Sequence, residues 1–181
     1  MGKVLDALDD KLTEWIGQQH VFFVATAPAA GGHVNLSPKG HDCLRVLDPT
    51  TVAYLDLTGS GAETIAHTRE NGRITVMLCA FEGPPLILRL YGEGSAQPIG
   101  SPRYEELRSR FPDLPGARSI VTVAIDRVQT SCGYSIPFME YWDERPTLQQ
   151  WATRKGDDGL REYWADKNAE SIDGLPALEP G

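Results

Sequence analysis

The chain has 181 residues, 41% hydrophobic and 23% charged, with a formal charge of −8, a composition average for one globular domain. That balance argues against general nucleic-acid binding, which needs a basic face, and no apolar run approaches the roughly 20 residues of a membrane span. Cys43, Cys79 and Cys132 lie far apart without a CxxC pair, so neither a zinc site nor a disulfide framework is suggested. Met1–Gln19 is too acidic for a signal peptide, so a cytoplasmic protein with reduced thiols is expected.

Apolar residues at Val4, Leu5, Leu8, Leu12, Trp15 and Ile16 recur at helical spacing, which predicts a helix over residues 3–18. His20–Thr26 is a β-branched and aromatic run. Pro28 and Gly31-Gly32 close it and turn it into Val34–Ser37 as a hairpin. A strand at Thr51–Leu57 leads into a helix over Ala62–Asn71, stopped by Gly72. Strands follow at Arg73–Ala80 and Leu86–Tyr91, on either side of the turn Glu82-Gly83-Pro84-Pro85. Ser101 is placed to cap a helix over Pro102–Phe111, and Arg118–Gln129 reads as a long strand. Pro146–Lys155 and Asp157–Lys167 form two polar helices rich in Trp and Tyr, and the end from Ser171 is irregular.

Six strands joined by hairpins and short helices predict a mainly β fold, an antiparallel barrel with flanking helices. Most connections are too short for parallel crossovers. The chain is read as one domain: an N-terminal helix over 1–20, a barrel over 21–138, and C-terminal helices and tail over 139–181.

Two segments carry candidate chemistry. Asn35, Ser37 and Lys39 alternate on one strand face, either as a ligand-lining strand or as a solvated edge. Thr58-Gly59-Ser60-Gly61 precedes a helix whose first turn holds Thr64. Backbone N–H groups at such a helix start accept a phosphate. The same glycines equally serve a plain turn with Ser60 as the helix cap.

The segments Asn35-Leu36-Ser37-Pro38-Lys39-Gly40, Tyr54–Gly61 with Glu63-Thr64, and Glu70-Asn71-Gly72-Arg73-Ile74 recur in a known pattern. So do Cys79–Pro85, Leu88-Arg89-Leu90-Tyr91-Gly92, Ser131-Cys132-Gly133-Tyr134, and Lys167-Asn168 with Ser171–Pro176. On these residues the chain resembles the pyridoxamine 5′-phosphate oxidase-related flavoproteins of the FMN-binding split-barrel fold, over nearly its whole length. The resemblance implies a six-stranded split barrel, a homodimer, and FMN in a groove between subunits. It implies flavin contacts from Asn35, Ser37, Pro38, Lys39 and Gly40, and a phosphate loop of Ser60, Gly61 and Thr64. Asp56 and Arg73 are further cofactor-binding candidates.

The loop departs from the family in one respect. True pyridoxamine-phosphate oxidases place adjacent cations there, whereas this chain reads Ser60-Gly61-Ala62-Glu63-Thr64. Charge is then expected from Lys39, Arg69 or Arg73, or from the helix end itself. The Arg- and His-bearing C-terminus that grips substrate phosphate in those oxidases is also missing.

The expectation is therefore an FMN-dependent oxidoreductase of a small planar substrate, distinct from vitamin B6 oxidation. The alternatives are a non-catalytic flavin- or haem-binding protein of the same fold, or a reductase using F420.

Other candidates are weaker. His20, His33, His41 and His67 show no metal spacing and are read as strand, turn and helix-surface residues, with His41 adjoining the lysine strand. Cys132 is read as a buried small hydrophobe, with approach to a flavin as the competing role. Tyr141, Trp142, Trp151, Tyr163 and Trp164 are read as anchors for the C-terminal helices, with a roof over a planar ligand as the competing role.

Overall fold

A computed structural model describes residues 2–179. Eight strands form one antiparallel sheet: β1 (Val4–Leu5), β2 (Phe22–Thr26), β3 (Asn35–Lys39), β4 (Leu44–Asp48), β5 (Thr51–Leu57), β6 (Arg73–Cys79), β7 (Ile87–Pro98) and β8 (Ala117–Ser131). Seven of them run in the order β3-β2-β6-β7-β8-β5-β4, with β1 pairing β8 from the side. The path does not close, so β3 and β4 are its edges. Among the described residues four helices flank the sheet: α1 (Asp10–Ile16), α2 (Glu63–Glu70), α3 (Pro102–Arg108) and α4 (Thr147–Lys167). No described helix is long and apolar enough to cross a membrane.

The mainly β architecture with flanking helices is as expected; the strand count is eight where six were predicted. Val4 and Leu5 pair with Gln129 and Val128 instead of starting a helix. Their apolar spacing fits a helix, but the edge of the long β8 offers backbone partners that a frayed first turn lacks. The helix starts only where Asp9 accepts a hydrogen bond from Leu12 N at 2.8 Å. Strand β4 went unassigned because its residues are half-buried without alternation. It is recruited by β5, with Leu44 opposite Tyr54.

The other expected elements are present. Ser101 caps α3, with Tyr104 N donating to its Oγ at 3.3 Å. The two polar C-terminal helices meet at Gly156, whose φ of 65° breaks α4.

The core between the curled faces is aliphatic. Val24, Val52, Val76, Leu78, Leu88, Leu90, Ile120, Val121, Val123 and Val128 are all buried, with Tyr54 among them. These residues alternate with half-exposed positions along β2 and β6, whereas β5 and the Arg118–Val121 stretch of β8 are covered on both faces. A smaller cluster of Ala62, Ile65, Ala66 and Ala177 fixes α2 against the C-terminal tail.

Strand β7 runs on past Tyr91 to Pro98 because it shifts register against β8 between Tyr91 and Gly92. The bulge brings the two backbones together there, so that a Cβ on Gly92 would be driven into the Ala124 carbonyl. Gly92→Ala should lower stability by about 1–3 kcal/mol, read as a lower urea midpoint with unchanged slope. An unchanged midpoint would show that the bulge relaxes freely.

Candidate functional site

Curling brings β3, one edge of the sheet, opposite β5 near the other, and an open cleft of about 1090 Å³ lies between them. Its walls include Asn35, Ser37–Gly40, Leu55, Leu57, the Thr58–Gly61 loop, Glu63, Thr64 and Arg118. The far wall is a strap, with Met139, Glu140, Tyr141, Asp143, Glu144 and Arg145 lining the cleft.

One buried carboxylate ties the two walls together. Lys39 Nζ reaches from β3 to Asp56 Oδ1 at 2.9 Å, and Arg118 Nε reaches from β8 to Asp56 Oδ2 at 2.7 Å. Asp56 is 1% exposed and Arg118 4%. Burial alone would push the Asp56 carboxyl up, but the Arg118 and Lys39 charges outweigh it and hold the pKa at about 2. Two cations on one carboxylate leave one positive charge beside the Gly/Ser loop.

Arg118 also builds that loop. Its Nη1 donates to Gly61 O at 2.9 Å and to Asn168 Oδ1 at 2.7 Å. Asn168 Nδ2 donates back to Gly59 O at 3.2 Å. Trp164 Nε1 donates to Thr58 Oγ1 at 2.8 Å, and that hydroxyl donates to Gly116 O at 2.7 Å. The end of α4 thus clamps the loop through an aromatic N–H and a buried amide, the anchoring role expected of Trp164.

Of the ten candidate residues, Asn35, Ser37, Pro38, Lys39, Gly40, Ser60, Gly61 and Thr64 line this cleft. Asp56 lies beneath it as the shared counter-ion. Arg73 lies elsewhere: it is exposed, with Nη2 on Pro28 O at 3.0 Å. Arg69 likewise turns to the tail, donating to Ala177 O at 2.8 Å. Ser60 is not the helix cap; the N-cap of α2 is Ala62, which has no side-chain bond to the helix.

Glu63 lies against the loop, where a Cβ on Gly61 would strike its carboxylate, and accepts from Ile172 N at 3.3 Å.

Arg118 was missed because its partner Asp56 is 62 residues away in sequence and nothing local marks it. Of the strap, the sequence singled out Tyr141 and Trp142, as helix anchors or as a roof over a planar ligand; Tyr141 lines the cleft and Trp142 is exposed. His41 has a φ of 61° and donates through its backbone N to Glu144 Oε2 at 3.1 Å. Tyr141 stacks on His20 at 3.6 Å between ring centroids. Tyr141 N donates to Glu82 Oε1 at 3.0 Å.

Three smaller readings need correction. Cys132 is exposed, so it is not a buried hydrophobe, and Cys43 is the thiol that lines the cleft. Burial first, then the Asp42 charge, pushes the Cys43 thiol up to about 12, so it stays protonated. His67 is fully buried and not on the helix surface, and Trp142 is exposed and anchors nothing.

A family profile for pyridoxamine 5′-phosphate oxidase matches residues 8–132. The chain is also 41% identical over 190 residues to the pyridoxamine 5′-phosphate oxidase family protein ustO of Aspergillus flavus, across 96% of this chain and 76% of that one. The chain belongs to the pyridoxamine 5′-phosphate oxidase family. Solved structures share the fold of this family member. HupZ of Group A Streptococcus superposes with a TM-score of 0.52 at 22% identity, over 67% of this chain and 91% of that one. A Lactobacillus delbrueckii protein assigned to pyridoxamine 5′-phosphate oxidase gives 0.53 at 16% identity, over 68% and 94%.

Removing Arg118 tests the shared carboxylate. Arg118→Leu should cost about 3–5 kcal/mol in urea unfolding, because Asp56 is left with one cation and the loop loses its tether. The pH dependence has a defined sign. The Asp56 pKa is depressed when folded, so its contribution is complete above the ordinary 3.8 and is lost as pH falls through about 2. At roughly 1.4 kcal/mol per pKa unit that contribution is about 2 kcal/mol. In Arg118→Leu the loss should move to higher pH. Coincident acid-unfolding profiles for the two proteins would refute the assignment.

Proposed function

We propose that this family member binds FMN in the β3–β5 cleft and acts as a flavin-dependent oxidoreductase of a small planar substrate. The observation that carries this reading is the joint placement of the β3 polar face and the Gly59–Gly61 loop on one cleft, beside the net positive charge of Lys39, Asp56 and Arg118. The cleft is at the upper end of the size range of small-molecule sites, large enough for a mononucleotide.

Asn35, Ser37, Pro38, Lys39 and Gly40 would hold the ring system along β3. Ser60, Gly61 and Thr64, with Arg118 behind them, would hold the phosphate at the start of α2. FMN would supply the two-electron redox chemistry, so the protein needs no nucleophile of its own. What the residues contribute is position and polarity. The Asp56 carboxylate fixes the Lys39 ammonium at the cleft wall, the α4 clamp holds the loop open, and the strap covers one side from water.

The same reading makes the protein a cytoplasmic homodimer with the cofactor at the subunit interface. Support comes from Val34, Leu36, Phe138 and Trp142, large apolar side chains exposed on the single chain. Light scattering that returns a monomer at micromolar concentration would remove the dimer from the proposal.

FMN titration followed by flavin fluorescence tests the site, and two variants should move affinity in opposite directions. Lys39→Ala removes the net positive charge and should weaken binding about tenfold or more, the worth of one charge-assisted hydrogen bond. Glu63→Gln removes the carboxylate lying on the loop and should tighten binding about three- to tenfold. Unchanged affinity in both would place FMN outside this cleft, and no binding by the wild type would end the FMN reading. Pyridoxine 5′-phosphate should turn over poorly, since the cation-rich loop of true oxidases is replaced here; steady peroxide release with that substrate would show the opposite.

A further inference from the structure

Behind the cleft wall a chain of hydrogen bonds runs inward to a histidine that the proposed function leaves unused. Ser37 Oγ donates to Asn35 Oδ1 at 2.8 Å. Asn35 Nδ2 lies between two threonine hydroxyls, donating to Thr26 Oγ1 at 3.1 Å and to Thr64 Oγ1 at 3.1 Å. Thr26 Oγ1 in turn lies 2.9 Å from His67 Nδ1. His67 is fully buried on α2, and its Nε2 has no partner among the described residues. Burial holds its pKa below the ordinary value, against the opposing pull of Glu63, Asp173 and Glu70, so the ring is neutral near pH 7.

A neutral imidazole has one N–H and one lone pair, and this chain leaves two consistent arrangements. In one, the proton sits on Nε2 and Thr26 donates to Nδ1. Thr26 then accepts from the Asn35 amide nitrogen, the Asn35 oxygen takes the Ser37 proton, and Ser37 shows only lone pairs to the cleft. In the other, Nδ1–H donates to Thr26, the amide is reversed, and Ser37 points its O–H outward.

With Asn35 Nδ2 between the two hydroxyls, the first arrangement is the one that also gives the Thr26 proton an acceptor, at His67 Nδ1. Its cost is an unpaired buried N–H at Nε2, which keeps the second arrangement within reach.

We propose that His67 is a positioning residue: through Thr26 it fixes the Asn35 amide so that Ser37 meets the ligand as a hydrogen-bond acceptor. The ligand edge at Ser37 is then one that carries an N–H. Only the identity of the ligand rests on the FMN reading; the coupling belongs to the protein.

The test is the tautomer of His67, read from its two ring nitrogens by long-range ¹H–¹⁵N correlation on the full chain. The free protein should show the Nε2–H form. Asn35→Asp replaces the amide by an acceptor-only carboxylate toward which Thr26 donates, so Nδ1 should become the protonated nitrogen and Nε2 should lose its proton; both nitrogens protonated would report charging of the ring and not the relay. Thr26→Val keeps the shape but cuts the chain. Added FMN should perturb the His67 nitrogens in wild type and leave them unmoved in Thr26→Val.

The same Nδ1 protonation in wild type and Asn35→Asp overturns the proposal whether or not FMN binds. So does an FMN-induced shift of equal size in wild type and Thr26→Val. Failure of FMN to quench in the fluorescence titration, with the Asn35→Asp shift intact, overturns the FMN reading and leaves the His67 coupling standing.

Discussion

The cleft depends on one buried carboxylate. Asp56 stands on a strand covered on both faces, where an unpaired charge would cost several kcal/mol. Its two partners come from opposite sides of the gap, Lys39 from the sheet edge and Arg118 from β8. Backbone pairing does not join β3 to β5, and this ion pair bridges them. A sheet with one unclosed seam gains a ligand-sized groove, and the buried charges span the seam.

From that centre the polar contacts run outward in two directions. Arg118 extends to Gly61 and Asn168, so the position of the Gly/Ser loop depends on the C-terminal helix more than on its own sequence. Lys39 begins the polar face of β3, whose Asn35 and Ser37 lead through Thr26 to His67. The two networks meet at Thr64, whose hydroxyl accepts from Asn35 in the first turn of the helix that follows the loop.

The loop's departure from the cation-rich family pattern has a structural counterpart. Positive charge is supplied by residues already engaged with Asp56, while the Glu63 carboxylate lies against Gly61 of the loop. Such a site holds an anion less strongly than one with free cations, because each guanidinium or ammonium bond must be shared. The acidic, aromatic strap, with Tyr141 on His20 and Glu144 on His41, gives the other side of the cleft a character unlike a phosphate grip.

Much was legible in the chain itself. The β-branched and aromatic run of His20–Thr26, the Ser101 cap and the split of the C-terminal segment into two helices report local physics, and they led to the right elements. Asn35, Ser37 and Lys39 were readable as one face because a strand repeats every two residues. Arg118, the strap's Glu144 and the inward-facing His67 were not readable, because their roles are defined by partners 41 to 103 residues away. Val4–Leu5 and β4 failed for a related reason: short edge strands take their conformation from the neighbour that pairs with them. Sequence determined which segments are polar on one side. Only the tertiary curl, by setting a sheet edge against a buried aspartate, decided that those sides face one another.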